Sequence, residues 1–132
     1  MRNKPCLTLA DAQLMAAACR EAAAAHDQEA TIAIVDDGGH LIYLERPDQH
    51  RPNAVEMATL KARTAALRAR PSSTLEERVK ERPGFLMVPN VLAIRGGVPV
   101  FYGGECVGGI GISGIDPDDE IIAAAGAQAL DN

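Results

Sequence analysis

The sequence predicts an α+β domain, with a five-stranded antiparallel sheet and flanking helices. Three observations point there. Short runs rich in Val and Ile are separated by Asp-Gly and Gly-Gly turns, the pattern of hairpins rather than of crossover connections. The Ala-rich helical stretches stand apart from those runs, in the order helix, hairpin, helix, three-strand meander, helix. The segment "IRGGVPVFYGGECVGGIGISG", residues 94–114, holds eight of the chain's twelve glycines interleaved with Val, Ile, Phe and Tyr.

The elements follow in order. "LTLADAQLMAAACREAAAAHD" opens a helix, with Thr8 as N-cap and Asp11 at the third helical position. Leu14, Ala18 and Ala22, with Leu7 ahead of the cap, begin its expected apolar stripe. "ATIAIVD" reads as a strand, "DDGG" as a turn and "HLIYLER" as the returning strand. "PDQHRPN" is a loop, and "AVEMATLKARTAALRAR" is a second helix capped by Asn53. Pro71 breaks it, and Ser73 with Glu76 has the spacing of a capping box for a short third helix. "VLAI", "VPVFY" and "CVGGIGISG" read as a meander turning at Gly96-Gly97 and Gly103-Gly104. Pro99 places its own strand at an edge. The last helix opens at "DPDDE", with Asp116 as cap and Pro117 at the first position.

At 132 residues the chain reads as one domain, residues 1–132. Hydrophobic residues make up 47% of it, enough for a packed core. Aromatics are 3% and Trp is absent, so that core is built from Ala, Val, Ile, Leu and Gly. The net charge of −5 and the scattered cations argue against a nucleic-acid partner. No apolar run reaches membrane-spanning length, and the N-terminus lacks the apolar core of a secretion signal, so a cytoplasmic location is expected. Cys6, Cys19 and Cys106 are odd in number and widely spaced, unlike a disulfide framework or a zinc site.

Four stretches, "VDDGGHLIYLERPD", "LKARTAA", "RGGVPVFYGGECVGGIGISG" and "DPDDEIIAAAGAQAL", resemble the GlcG/HbpS family in order and spacing. That family is also known as the haem-degrading domain family and includes the C-terminal domain of PduO proteins. The resemblance runs from Leu7 to Leu130. It implies a profilin-like or PAS-like sheet, assembly into homo-oligomers from dimers to octamers, and haem as a non-covalent cofactor in some members. After Arg46 this chain departs from the family, carrying "RPDQHRPN" where members often have "RMDGA". The family supplies no haem-ligand motif that carries over residue by residue.

Candidate residues come from their chemistry. Gly97, Gly108 and Gly109 serve either close packing or a flat ligand lying on bare strand. Arg46 ends the second strand and Lys61 sits mid-helix; either cation suits a propionate or an organic acid, and either could be a structural ion pair. His50, in the divergent loop, and His40, after the Gly-Gly turn, are the candidate iron ligands or acid–base groups. His26 is expected to be structural. His50 and Glu56 are the candidates for moving a proton. Met57, Met87, Tyr102 and Cys106 are weaker candidates for lining a haem site. No C-x-x-C-H occurs, so any haem is held non-covalently. Ser113 has no recognisable His–Asp pair, and the acids from Asp116 to Glu120 lack a calcium-loop pattern.

Three functional readings remain open on these residues. The first is a haem- or tetrapyrrole-binding protein, with slow oxidative haem degradation as an extension. The second is an enzyme or accessory protein acting on a small carboxylate or aromatic-derived acid in catabolism. The third is a structural oligomeric module.

Overall fold

A computed structural model describes residues 1–130; Asp131 and Asn132 of the expected domain lie outside the described residues. The elements are α1 (Leu9–Ala25), β1 (Thr31–Asp36), β2 (Leu41–Glu45), α2 (Asn53–Arg68), α3 (Ser72–Glu81), β3 (Gly97–Tyr102), β4 (Glu105–Ser113) and α4 (Asp119–Gln128), with a 3-10 turn at Pro83–Met87. The described sheet has four strands in the order β2-β1-β4-β3, every pair antiparallel. The expected fifth strand, "VLAI", is irregular chain instead. Its backbone is engaged by side chains: Thr64 Oγ1 accepts from the Leu92 amide and Ser72 Oγ donates to the Ile94 carbonyl.

Strand alternation sorts the sheet into two unlike faces. Ile32, Ile34, Val98, Val100, Ile110 and Ile112 point to one side and pack on α1 and α4. Ala33 and Val35 point to the other side and meet Ala58, Ala62 and Ala66 of α2. On that second face β4 and β3 present Gly109, Gly111 and Gly97. A Cβ on Gly111 would lie 1.9 Å from the Ala58 carbonyl oxygen. On Gly109 it would lie 2.3 Å from that of Ala62, and on Gly97 2.0 Å from that of Lys61. The helix backbone therefore rests on strand backbone, and α2 fills the space that a flat ligand on Gly97 or Gly109 would need. Gly108 faces the opposite way, against Leu7 and the Val35 carbonyl. The use of these glycines inside this subunit is close packing.

The first helix starts as expected. Thr8 accepts from the Asp11 amide, and Asp11 accepts in turn from the Thr8 amide, a reciprocal capping box. Its buried face, however, is Ala12, Met15, Ala16, Cys19 and Ala23, leaving Leu14 exposed. The core selects the row that fits the closely spaced α4, where a Cβ on Gly126 would lie 2.3 Å from Cys19 Sγ. Three other expected caps are absent. Asn53 is already the first residue of α2, preceded by Pro52, and its side chain makes no capping bond. Ser73 lies inside α3, which has no side-chain cap. Asp116 does not cap α4, and Pro117, joined to it by a cis peptide, is not the first helical residue.

The helix begins later because Asp119 turns inward. Its Oδ1 accepts from the Ile115 amide at 2.8 Å, and its Oδ2 pairs with Lys61 Nζ at 3.0 Å. Lys61 also donates to the Ile112 carbonyl at 3.0 Å. Both side chains are almost fully buried, at 3% and 4% exposed. Lys61 is therefore a structural cation linking α2, β4 and the start of α4, and its ammonium is spent on protein oxygens.

Two stability measurements test this architecture. Gly111→Ala should cost about 3 kcal/mol in urea unfolding, the upper end of ordinary overpacking, because helix backbone must move to admit the methyl. Gly84→Ala, with nothing within 4 Å of its Cβ, should stay within about 0.5 kcal/mol; equal midpoints for the two would refute the close seam. Lys61→Met should cost about 3–5 kcal/mol by stranding the Asp119 carboxylate, and adding Asp119→Leu should restore stability above that single variant. A Lys61→Met protein as stable as wild type would remove the pair from the core.

Candidate functional site

The α2-facing side of the sheet has a polar end. β1 and β4 pair Thr31 with Ser113, Ala33 with Gly111 and Val35 with Gly109. The last two rungs lie beneath α2. The Thr31–Ser113 rung lies at the N-terminal end of the helix, where Asn53 and Ala54 line a cleft with Ser113 and the loop leading from β2 into α2 crosses. His50 comes down from that loop onto the rung. Its Nδ1 stands 2.8 Å from Thr31 Oγ1. The ring lies against Gly114, where a Cβ would sit 2.4 Å from Cε1. Gly114 has φ +102, a left-handed backbone that suits glycine. His50, Arg51, Asn53, Ser113 and Gly114 line an open cleft of about 320 Å³. Arg51 is exposed and its guanidinium has no described partner.

Arg46 stands on the other side of the same loop, after Glu45, whose Cα pairs with Ile32 at this end of β1. It lines a second cleft of about 340 Å³ with Arg20, Gln28, Glu29, Glu45 and Pro47. Arg46 is exposed and also has no described partner. Glu45 is not its counterion. It accepts from Arg20 Nε at 3.2 Å and from a second Arg20 nitrogen at 2.8 Å, a two-pronged pairing, and also from the Tyr43 hydroxyl at 2.9 Å. The Arg20 guanidinium holds the Glu45 carboxyl below its ordinary range, against the opposing effect of burial. Burial, with help from the Glu45 carboxylate, pushes the Tyr43 hydroxyl up.

Of the residues singled out from sequence, the fold brings Arg46 and His50 to one end of the sheet. His40 is at the other end, in the Asp36 turn, 3.4 Å from the Asp36 carboxylate and largely exposed. It cannot share a site with His50 inside one subunit. Lys61 is consumed by Asp119, as described above. Glu56 is exposed on the first turn of α2 and does not line the His50 cleft. Cys106 donates to the Ala66 carbonyl at 3.6 Å, and Tyr102 lines a separate cleft with Cys6 and Leu14. Met57 is half-buried on α2, while Met87 is 84% exposed in the 3-10 turn. His26 is the exposed C-cap of α1, its Nδ1 3.2 Å from the Ala22 carbonyl oxygen. Cys19 is core, its thiol pushed up to about 12 by burial and so unreactive near neutral pH. Among the described residues no group of three His, Cys, Asp or Glu could hold a metal ion. No described helix is long and apolar enough to cross a membrane.

Sequence reasoning passed over Thr31 and Arg51. Thr31 had a signal: it is the one hydroxyl in the otherwise apolar first five residues of β1. Arg51 had only its place beside His50.

The pairing of Arg20 with Glu45 gives a pH test of this end of the sheet. Because folding lowers the Glu45 pKa, the pair stabilises the protein above the ordinary carboxylate range and is lost as pH falls through the folded value. Arg20→Ala should lower stability at pH 7 by under about 1 kcal/mol, an exposed pair's contribution. The melting-temperature gap should close in acid; a gap that persists below the carboxylate range would show that the arginine acts through packing alone.

Comparison with known proteins agrees with this fold. The family described as haem degrading protein HbpS-like matches residues 7–128. Protein GlcG of Escherichia coli strain K12 is 39% identical over 114 residues, covering 86% of this chain and 85% of the relative. The crystal structure of a double mutant of Streptomyces reticuli HbpS superposes with a TM-score of 0.91 at 34% identity, covering 100% of this chain and 92% of that one. A PduOC–heme complex shares the fold at a TM-score of 0.84 and 24% identity, covering 96% of each chain. By sequence and by fold, the chain belongs to the HbpS-like family.

Proposed function

We propose that this chain binds haem or a related tetrapyrrole, non-covalently, at the end of the sheet crossed by the β2–α2 loop. One observation carries the reading. His50 is held against bare glycine backbone by a buried hydroxyl, with Arg46 and Arg51 nearby on the same loop, neither neutralised by a described carboxylate. This donor set fits the ligand: guanidiniums pair with propionates, and an imidazole suits either the iron or a ligand oxygen. The bound group would supply a redox-active iron, and the protein's part is to hold and orient it. The family's haem-degrading description and the heme-bound PduOC neighbour support this ligand class.

The clefts on either side of the loop, about 320 and 340 Å³, fall near the lower end of the roughly 300–1,000 Å³ of ligand pockets and are open-faced. A macrocycle resting there needs a second wall. A neighbouring subunit of a homo-oligomer supplies it in this reading. Leu86, Met87 and Val88, at 64%, 84% and 42% exposed, are apolar surface suited to such an assembly.

The same cleft size favours a second reading. A small organic acid fits beside His50 and Arg51 without any second wall, as in an enzyme or accessory protein of carboxylate catabolism. There His50 moves the proton, and Glu56, outside the cleft, does not.

Haemin titration of the purified protein, followed by absorption, separates the two. Haem binding predicts a saturable Soret shift at one haem per subunit or per dimer. Arg46→Ala with Arg51→Ala should weaken it about tenfold, the loss of roughly 1.4 kcal/mol of propionate pairing. A weak, unsaturable change equal in wild type and variant would discard the haem reading in favour of the small acid. Incubating a saturated complex with a reductant under oxygen extends the test, since degradation bleaches the Soret band.

A further inference from the structure

We infer that Thr31 positions His50 and sets it as a hydrogen-bond donor, through Nε2, to a carboxylate of the ligand rather than as a ligand of iron. The inference rests on the His50 cleft being the binding site. It deepens that reading by assigning the imidazole's partner.

Thr31 is fully buried, and its hydroxyl has one described partner, His50 Nδ1 at 2.8 Å. A hydroxyl offers one proton and accepts others, while a neutral imidazole has one donating and one accepting nitrogen. Two arrangements satisfy the 2.8 Å contact. If Nδ1–H donates to Thr31, the buried hydroxyl proton has no acceptor among the described residues. If the hydroxyl donates to Nδ1, that proton is satisfied and only spare lone pairs on oxygen remain. A buried unmade donor is the more costly outcome, so the second arrangement wins. The lone pair of Nδ1 is then occupied, and the ring proton resides on Nε2. A protonated nitrogen donates; it has no lone pair for a metal.

The ring is not free to turn away from this role. A Cβ at Gly114 would lie 2.4, 2.8 and 3.1 Å from Cε1, Nδ1 and Nε2, so the imidazole lies along backbone that only glycine leaves open. The rest of the cleft is also rich in donors. Ser113, opposite Thr31 in the sheet, has a hydroxyl with no described partner. Arg51 and Asn53 line it too, with Gln49 and Ala54. Three donor types around one imidazole N–H suit the oxygens of a carboxylate, whether it is a porphyrin propionate or a small acid.

Nitrogen-15 NMR of His50 in the unliganded protein is the first test. An unprotonated, hydrogen-bonded Nδ1 with a protonated Nε2 is expected; a protonated Nδ1 overturns the inference. The second test compares haemin with iron-free protoporphyrin IX. His50→Ala and Thr31→Val should weaken both about tenfold, and Thr31→Ser, which keeps the hydroxyl, should restore binding. Circular dichroism confirms that the variants are folded. A loss confined to haemin makes His50 an iron ligand and overturns the proposal. If wild type binds neither porphyrin, the haem reading fails separately, and succinate becomes the probe. A succinate-induced shift of the His50 Nε2 proton, absent in Thr31→Val, then upholds the inference, and no shift in wild type overturns it.

Discussion

The contact on which the rest depends is the meeting of helix backbone and strand backbone between α2 and the β3–β4 hairpin. Gly97, Gly109 and Gly111 lie directly beneath the carbonyls of Lys61, Ala62 and Ala58. Glycine weakens a strand when it stands alone, through lost packing and greater unfolded freedom. Here the missing Cβ atoms let the helix settle closer than any side chain would allow. A chain with no Trp and few aromatics cannot build its core from large rings. It gains density instead from Ala and Gly, with Ile and Val filling the opposite face. Both faces of one sheet thus follow different packing rules, set by the parity of position along each strand.

That close approach determines where the charges go. With α2 so near β4, the Lys61 stem reaches the Ile112 carbonyl and the Asp119 carboxylate. The ammonium thus spends two of its three N–H donors on protein oxygens. A buried pair of this kind adds little net stability compared with apolar residues, but it is costly to break and selective in geometry. It draws Asp119 inward, moves the start of α4 past Asp116, and holds the Ser113–Ile115 turn in place. Gly114 sits in that turn. The pairing of Lys61 with Asp119 therefore shapes the floor on which His50 rests, although Lys61 itself does not line the cleft.

The parts of this arrangement were unequally visible in the sequence. Turn chemistry is local, so "DDGG", "YGGE" and the Thr8–Asp11 cap could be read directly. The fourfold sheet, the Asp119 cap position and the buried row of α1 depend on contacts between distant residues, which spacing alone does not encode. "VLAI" has strand composition, yet Thr64 and Ser72 engage its backbone from α2 and α3. Leu14 is a natural core residue by type, yet Met15 and Ala16 are the row that meets the neighbouring elements. Lys61 illustrates the same limit for function: a cation in a family-like motif says nothing of whether a carboxylate 58 positions later already holds it. Loop position singled out His50 and the end of β2 singled out Arg46, and the fold places both at one end of the sheet. Thr31 was missed because a threonine in a strand is ordinary by propensity, and its importance comes from being buried opposite a loop histidine.

The seam and the cleft are two ends of one ladder. Under α2 the rungs Ala33–Gly111 and Val35–Gly109 must be small, because helix backbone occupies the space above them. One rung further, at Thr31–Ser113, the helix gives way to the β2–α2 loop and the constraint changes. A loop side chain, His50, takes the place of helix backbone, and the hydroxyls on this rung need partners that an Ala or Gly would not require. The loop supplies one of them in His50 and leaves Ser113 facing the cleft. A larger β4 residue at Gly109 or Gly111 would lift α2 and move its first turn with the loop attached. The same small residues that build the core thus set the height of His50 above the sheet, and with it the width of the cleft beside it.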